Sequence, residues 1–491
     1  MKRIINITLI VLLPAFCMAQ NEVDALRYSQ TFYGGTARSL SMGGAFGALG
    51  GDFSCLSYNP AGIAVYRHSE LTCTPALYFS RTNTTFQNTG FSDFRSNLNA
   101  NNLGIIATYT SGRDDGWTSV NFGFGMNRLN NYYNNFILKG TNNESSYVDM
   151  FADLAENHNA DDLGNWNVAD NDFGAGLACM AYNTWLIDPD TNVAGNRYVS
   201  NFKQYGQSQE KTVSQKGQMS EMVVTLGGNY SHKLYMGGTV GFPFFRYVCN
   251  GDLTEIRPSA DTLSLLEGYT YSDELVSHGV GFNLKLGIIY RPVEFIRIGL
   301  AAHTPTFFNI DENYTAEIAS EYNDASYSSS AEVESSYNLA TPFKAIGSVA
   351  FIIMKSGLVS VDYEYVDYST IQMSMSDYSF TEENQTIRNA YVATGNLHVG
   401  AEYRYGPFSF RGGFMYYGSP YASSTPNSGA GKLCYTGGIG IKDNNIYFDL
   451  GYVYTTYSEK YFMYSPDLYP VESANVAYTT SRILATFGVK F

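Results

Sequence analysis

Long apolar runs are missing from this chain. Beyond the first residues no stretch approaches the roughly 20 apolar residues that a membrane-spanning helix needs; the longest lies near Ala345 to Met354. An α-helical membrane protein is therefore excluded. Charge is scarce as well: Asp, Glu, Lys and Arg make up 15% of the 491 residues, against about 25% in ordinary soluble domains. Cysteine is sparse and irregularly spaced. Beyond the leader residues 1–19, which contain Cys17, the five that remain, Cys55, Cys73, Cys179, Cys249 and Cys434, match no metal motif, and an odd number cannot all pair internally; they read as small filler residues with at most one disulfide. The six histidines (His68, His158, His232, His278, His303 and His398) are scattered, with no H-E-x-x-H pair. No G-x-S-x-G elbow, phosphate-binding glycine loop or Ser/His arrangement with local context is present. The sequence thus predicts no catalytic residues, no metal and no cofactor.

The N-terminus is a leader. Met1-Lys2-Arg3 supplies a positive start, Ile4 to Phe16 a mostly apolar core, and Ala19 a small residue before Gln20, the pattern of a secretory signal peptide over residues 1–19. A lipoprotein leader would acylate Cys17, but bulky Phe16 precedes it. Removing residues 1–19 takes Lys2 and Arg3 and no acid, leaving 28 basic against 45 acidic residues, a net charge of −17. Such a chain is a poor partner for nucleic acid.

Aromatics and glycine are abundant: 41 Tyr, 31 Phe and 47 Gly. Together with low charge they suit the walls of a β-barrel in a membrane, where aromatic girdles sit at both interfaces. Strict alternation points the same way, because a strand between lipid and lumen changes polarity at every residue. Ile483, Ala485, Phe487, Val489 and Phe491 share one face, opposite Arg482, Thr486, Gly488 and Lys490. Val361, Tyr363 and Tyr365 likewise oppose Ser360, Asp362 and Glu364, while Leu397, Val399, Ala401 and Tyr403 oppose His398, Gly400, Glu402 and Arg404. A soluble sandwich alternates too; connection lengths separate the two. Strands near 68–82, 101–110, 118–138, 216–230, 234–250, 272–290, 294–318, 331–354, 357–373, 389–405, 407–420, 430–442, 445–462 and 477–491 make about fourteen, and tight turns alternate with long polar connections. That rhythm is one of short periplasmic turns and longer extracellular loops. The expected fold is an all-β transmembrane antiparallel barrel over residues 67–491, with a long extracellular loop at 140–216. Both chain ends would face the periplasm, and terminal Phe491 resembles the signal read by barrel-assembly machinery.

Residues 20–66 follow another pattern. They are rich in Gly, yet Tyr33, Leu40, Met42, Phe46, Leu49, Phe53, Leu56 and Tyr58 are too apolar for a disordered tail. A compact element packed in the lumen is expected. The stretch Gly34-Gly35-Thr36-Ala37-Arg38-Ser39-Leu40-Ser41-Met42-Gly43-Gly44-Ala45, the box Tyr58-Asn59-Pro60-Ala61-Gly62, the strand start Tyr235-Met236-Gly237-Gly238 and Phe491 together carry a resemblance. The chain resembles the FadL/TodX family of outer-membrane transporters of hydrophobic compounds, in its Bacteroidetes form. The resemblance implies a fourteen-stranded barrel with residues 20–66 as a hatch marked by Asn59, Pro60, Ala61 and Gly62. It further implies passive uptake of long-chain fatty acids or aromatic hydrocarbons with sideways release through a kink in the third strand. Ligand-site residues of the family are matched by no motif here. The expected partners are a hydrophobic small molecule, the bilayer with its lipopolysaccharide and the barrel-assembly machinery, for a monomer in the Gram-negative outer membrane.

Two further constellations stand out. Gly123, Gly125 and Asn127 lie within the third strand, where glycine marks a bend or a close approach; they are either a lateral gate or small residues in a crowded lumen. In the long loop, Tyr147, Val148, Met150, Phe151 and Leu154, then Leu177, Met180, Trp185 and Leu186, are spaced as two short amphipathic helices. They either pack together or form a capture groove through Phe151, Leu154, Met180, Trp185 and Leu186. Asp161-Asp162 and Asp170-Asn171-Asp172 lack calcium-loop spacing and read as solvated. Lumen-facing Asp362, Glu364, Glu402, Arg404 and Arg411 read as a structural network. A barrel acting as a protein-interaction or secretion-system shuttle component is the alternative function.

Overall fold

The computed structural model describes residues 21–164, 173–192, 195–354, 356–466 and 468–491. The expected signal peptide and Asp170-Asn171-Asp172 fall outside the described residues. Antiparallel segments join into a closed barrel of 14 strands. The strands are β1 (Glu70–Phe86), β2 (Thr89–Thr110), β3 (Trp117–Asn131, resuming at Asn134–Asn142), β4 (Gln207–Tyr230), β5 (Leu234–Ile256) and β6 (Leu266–Val293). There follow β7 (Ile296–His303 and Phe307–Tyr322), β8 (Ser326–Ala340 and Lys344–Ile353), β9 (Gly357–Asp367 and Gln372–Ser374) and β10 (Ala393–Tyr405). The wall ends with β11 (Phe408–Tyr417), β12 (Lys432–Asp443), β13 (Ile446–Tyr461) and β14 (Ala474–Lys490). β14 pairs with β1 over Glu70↔Lys490 to Thr85↔Asn475, closing the sheet on itself. Closure removes both open edges, the condition for a sheet to stand in lipid.

Alternation sets the two faces. On β10, Asn396, His398, Gly400 and Glu402 are buried while Ala401, Tyr403 and Tyr405 are exposed, and on β9 Ser360, Asp362 and Glu364 are buried opposite Tyr363 and Tyr365. Phe122, Phe124, Leu226, Leu286, Leu300, Phe410 and Ile439 all stand on the outer surface. An apolar exterior around a polar interior is the inverse of a soluble sandwich and fits a bilayer as solvent.

All six connections at one rim are short: residues 111–116, 231–233, 294–295, 354–356, 406–407 and 444–445. The chain end sits at the same rim, where Ser69 and Phe491 exchange backbone hydrogen bonds at 3.0 and 3.1 Å. This is the periplasmic rim by the usual barrel asymmetry. At the other rim the expected alternation fails twice. β1 and β2 are joined by Gln87 and Asn88 alone, both at positive φ, and β7 and β8 by residues 323–325. The long connection spans residues 143–206, because β3 runs to Asn142 and β4 begins at Gln207. In these places the strands continue above the apolar band, where both faces are polar and the period-2 signal vanishes. No disulfide joins the five described cysteines, so the single disulfide allowed by the sequence is absent among the described residues.

Candidate functional site: the occupied lumen and the gap in its wall

Residues 21–66 run inside the barrel as two short helices, α1 (Glu22–Ser29) and α2 (Ala37–Ser41), and two 3-10 turns, Phe53–Ser57 and Pro60–Val65. Local sequence explains each turn. Asn21, Thr36, Asp52 and Asn59 precede them, and each side chain accepts a backbone N–H of the following turn, the reason such residues favour this position. Pro60 opens the last turn, where a missing N–H costs nothing.

The wall receives this segment on glycine. A Cβ at Gly287 would stand 1.9 Å from Asn59 Oδ1, one at Gly237 2.3 Å from the Pro60 carbonyl, and one at Gly299 2.4 Å from the Gly47 carbonyl. Gly400, Gly413 and Gly438 meet Met42, Gly43 and Ser41 in the same way. Main chain of the segment thus lies directly on main chain of the wall, and only glycine fits. Polar lumen residues complete the contact. Asp362 accepts the Gly47 N–H at 2.7 Å, His398 Nδ1 lies 2.9 Å from the Gly43 carbonyl oxygen and His303 Nε2 lies 2.8 Å from that of Tyr58. Glu364 accepts from Tyr33 Oη at 3.1 Å, and Glu402 binds Arg38 of the segment at 3.2 Å together with Arg411 at 2.7 Å and Arg404 at 2.6 Å. The lumen-facing charges read from the sequence are therefore the fixings of the N-terminal segment. Asn59 is central: its Nδ2 donates to the Gly47 carbonyl at 2.6 Å and its Oδ1 accepts from Ala61 N–H at 3.1 Å.

The wall has a gap. β2 pairs with β3 only from Asn102↔Asn127 to Thr110↔Ser119, so residues 89–100 of β2 have no partner on that side. Above it β3 breaks at Tyr132 and Tyr133, then resumes paired to β4 alone. The upper part of β3 leans onto the inner face of β1, where Thr82 Oγ1 donates to Asn134 Oδ1 and Thr84 Oγ1 to the Ile137 carbonyl, both at 2.6 Å. Arg95 of β2 reaches across to Asn135 and, at 2.7 Å, to Ser214 Oγ. Behind the gap lies a cavity of about 80 Å³, lined by Asn130 and Asn131 of β3 and by Phe32, Tyr78, Tyr417 and Tyr457. Lys432 sits in it between the rings of Phe32 and Tyr457, at 4.1 and 4.2 Å from their centroids.

Gly123 and Gly125 lie below this gap, in the paired part of β3. A Cβ on Gly123 would meet Leu56 at 2.7 Å and Ile63 at 2.8 Å, so it receives the N-terminal segment, whereas one on Gly125 would meet the Leu103 carbonyl of β2 at 2.2 Å before Phe53 at 2.7 Å. Asn127 is the last paired residue and donates to Ser57 Oγ at 3.0 Å. The long-loop residues cap the outer mouth. α3 (Tyr147–Ala155), started by a Ser146/Asp149 capping box, packs against the helix Phe173–Asn183. Phe151, Met180 and Leu186 are buried in one cluster with barrel residues such as Phe136, Leu253 and Tyr271; Leu154 packs against its edge, and Trp185 is half exposed. The unread signal of the site was proline: Pro243, Pro305 and Pro342 each stand inside an alternating segment, where proline marks a break.

A closed barrel, apolar outside and filled by its own N-terminal segment, is an integral outer-membrane protein of the plugged class. Its fold is that of the FadL-type hydrocarbon transporters. It is similar to a Pseudomonas aeruginosa FadL homologue at TM-score 0.56 and 10% identity, covering 94% of this chain and 100% of that one. It is similar to the P. putida toluene transporter TodX at TM-score 0.52 and 12% identity, covering 93% and 99%. A TodX mutant lacking S2 and S3, described as a monoaromatic hydrocarbon channel, matches at TM-score 0.52 and 12% identity over 94% and 100%. No family model matches the chain, and no curated protein matches it by sequence.

Proposed function

We propose that this barrel takes up hydrophobic small molecules across the outer membrane, with residues 21–66 as a movable hatch and the gap between β2 and β3 as a sideways exit into the bilayer. The observation that carries this reading is the unpaired stretch of β2 at residues 89–100 beside the break in β3. Unpaired backbone in lipid is costly, so a wall open here has a use. The aromatic cavity directly behind it, with Lys432 between Phe32 and Tyr457, suits a ligand with an apolar body and an anionic or polarisable end. At about 80 Å³ that cavity is smaller than the roughly 300–1,000 Å³ of a typical ligand site. The neighbouring segment must therefore shift for a ligand to enter. The capped outer mouth then presents Trp185, with Leu154 at the cluster edge, as the capture surface, while Phe151, Met180 and Leu186 pack inside the cap and hold it together.

The test is uptake of labelled long-chain fatty acid and labelled toluene by cells lacking their own route. Asn97 and Asn131 face each other across the gap at 3.5 Å between side-chain atoms. An Asn97→Cys/Asn131→Cys pair should block uptake when oxidised and restore it when reduced, while Arg95→Ala should raise it. Full uptake through the oxidised pair refutes the exit at β2 and β3. No uptake of either compound by the parent chain refutes the transport reading and leaves the protein-interaction reading of the outer loops.

A further inference from the structure

A second weakness crosses the wall at one height in neighbouring strands. Pairing between β5 and β6 skips from Gly241↔Asn283 to Phe244↔Val280. Between β6 and β7 it skips from Lys285↔His303 to Phe282↔Phe307, and between β7 and β8 from His303↔Lys344 to Phe307↔Ala340. Pro243, Pro305 and Pro342 fall in these skips and supply no N–H to a ladder. One backbone bond remains at each of two skips, Thr304 N–H to the Leu284 carbonyl at 2.9 Å and Thr341 N–H to the Thr306 carbonyl at 3.0 Å, and a side chain supplies the return bond: Leu284 N–H donates to Thr304 Oγ1 at 3.0 Å and Thr306 N–H to Thr341 Oγ1 at 2.9 Å. A seam held by isolated backbone bonds and hydroxyl substitutes is easier to open than a continuous backbone ladder, because each hydroxyl can rotate to another partner.

The row lies at the outer limit of the apolar band. Below it the outward residues of β7 are Ile298 and Leu300, at it Phe307, and above it Asn309 and Asp311, which are exposed. On the lipid side the break opens an apolar groove of about 920 Å³ formed by Met222, Phe242, Val280, Phe282 and Phe307. On the lumen side lies a small polar cavity of about 30 Å³ with Ser29, Glu221, Asn283, Lys285 and Lys344 on its lining. Pro243 and Phe308 line both, so the wall there is one residue thick. The inner face is ready for a polar head. Lys344 binds the Thr31 hydroxyl and lies 5.5 Å from the Tyr33 ring centroid, with no carboxylate among its described partners, and the buried Ser29 hydroxyl has no partner.

We propose that this seam is a second lateral port, between the outer leaflet and the lumen, for amphiphiles that carry an anionic head on an apolar chain. It rests on the reading of the protein as a lateral transporter, and it differs from the β2–β3 gap in sector. The chain lies in the groove, Phe308 swings aside, and the head meets Lys344.

The experiment uses the full chain reconstituted in vesicles with a photoreactive long-chain fatty acid and its photoreactive alkane counterpart, adducts being located by peptide mass spectrometry. The acid is expected to label Phe308 and Ala340 at least threefold more than the alkane does. Lys344→Met is expected to remove that excess, Lys344→Arg to keep it, and neither to change labelling at Asn97 and Asn131. Equal labelling by acid and alkane, or an excess that survives Lys344→Met, overturns the port and leaves a lipid-filled groove. Labelling at the gap without the seam also overturns it, while labelling at the seam without the gap supports it and refutes the β2–β3 exit instead. Folding of each variant is checked by the heat-dependent shift in gel mobility, and Phe308→Ala, which should raise seam labelling, tests the port without touching charge.

Discussion

Gly287→Ala isolates what the glycine contact does. The new methyl would stand 1.9 Å from Asn59 Oδ1 and 3.0 Å from the Ala61 nitrogen. Asn59 must retreat by more than an ångström, and its bonds to the Gly47 carbonyl and the Ala61 N–H are at risk. Overpacking of this kind costs about 1–3 kcal/mol. A buried polar group left without its partner adds about 1–3 kcal/mol. The wall is spared, since β6 keeps its backbone pairing to Gly237 and Ala301. The cost of about 2–6 kcal/mol therefore falls on the docking of residues 21–66, raising the detached population at least about 30-fold at tenfold per 1.4 kcal/mol. Cys55 reports it: the thiol is fully buried within the segment and reacts only when the segment leaves. Maleimide labelling of the Cys55 peptide should accelerate by that factor in Gly287→Ala. Gly347→Ala, whose Cβ would meet nothing within 4 Å, should label at the parental rate. Parental Cys55 labelling in Gly287→Ala, in a barrel with normal heat-dependent mobility, would refute the role given to the glycines.

Glu402→Gln leaves Arg38, Arg404 and Arg411 around a neutral amide. Breaking so buried a cluster costs about 3–5 kcal/mol, and the urea midpoint for exposure of Cys55 should fall while that of the barrel holds. Phe151→Ala removes a fully buried ring from the outer cap. A loss of about 3–5 kcal/mol is expected, seen as faster proteolysis within residues 143–206 with strands uncut. Denatured protein lacking residues 1–19 should react with five equivalents of thiol reagent without prior reduction, because no disulfide joins the described cysteines; fewer equivalents would contradict the structure.

The barrel was legible because lipid and lumen are two different solvents, and strands such as β9, β10 and β14 write both on alternate residues. Legibility stopped at the height of the lipid. Residues 207–216 are polar on both faces, since they stand above the apolar band, and they read as loop rather than strand; in residues 89–100 the outward Phe94 and Leu98 are interrupted by Asn and Ser, so the alternation is too weak to read. The same holds for the serine-rich start of β8, which hid the short turn at 323–325. Gly123 posed a fair choice between bend and crowding; crowding by Leu56 and Ile63 is what the structure shows. The gap itself left little trace, because a missing partner is a property of two strands and a sequence displays one at a time. Asn59 could be read as a cap from Asn-Pro alone, but not its bond to Gly47 within the folded segment.

The glycine-lined wall has a consequence for where discrimination can reside. At the height of Gly237, Gly287, Gly299 and Gly400 the wall offers main chain in place of side chains. A bore stripped of its insert would be wide there and chemically bland. The groups able to tell one cargo from another are then shared between two surfaces, with Phe32 and Tyr33 on the insert and Lys432 and Tyr457 on the wall above. Grafting residues 21–66 between barrels would then carry only the insert's half of that preference, and the other half would stay with the wall.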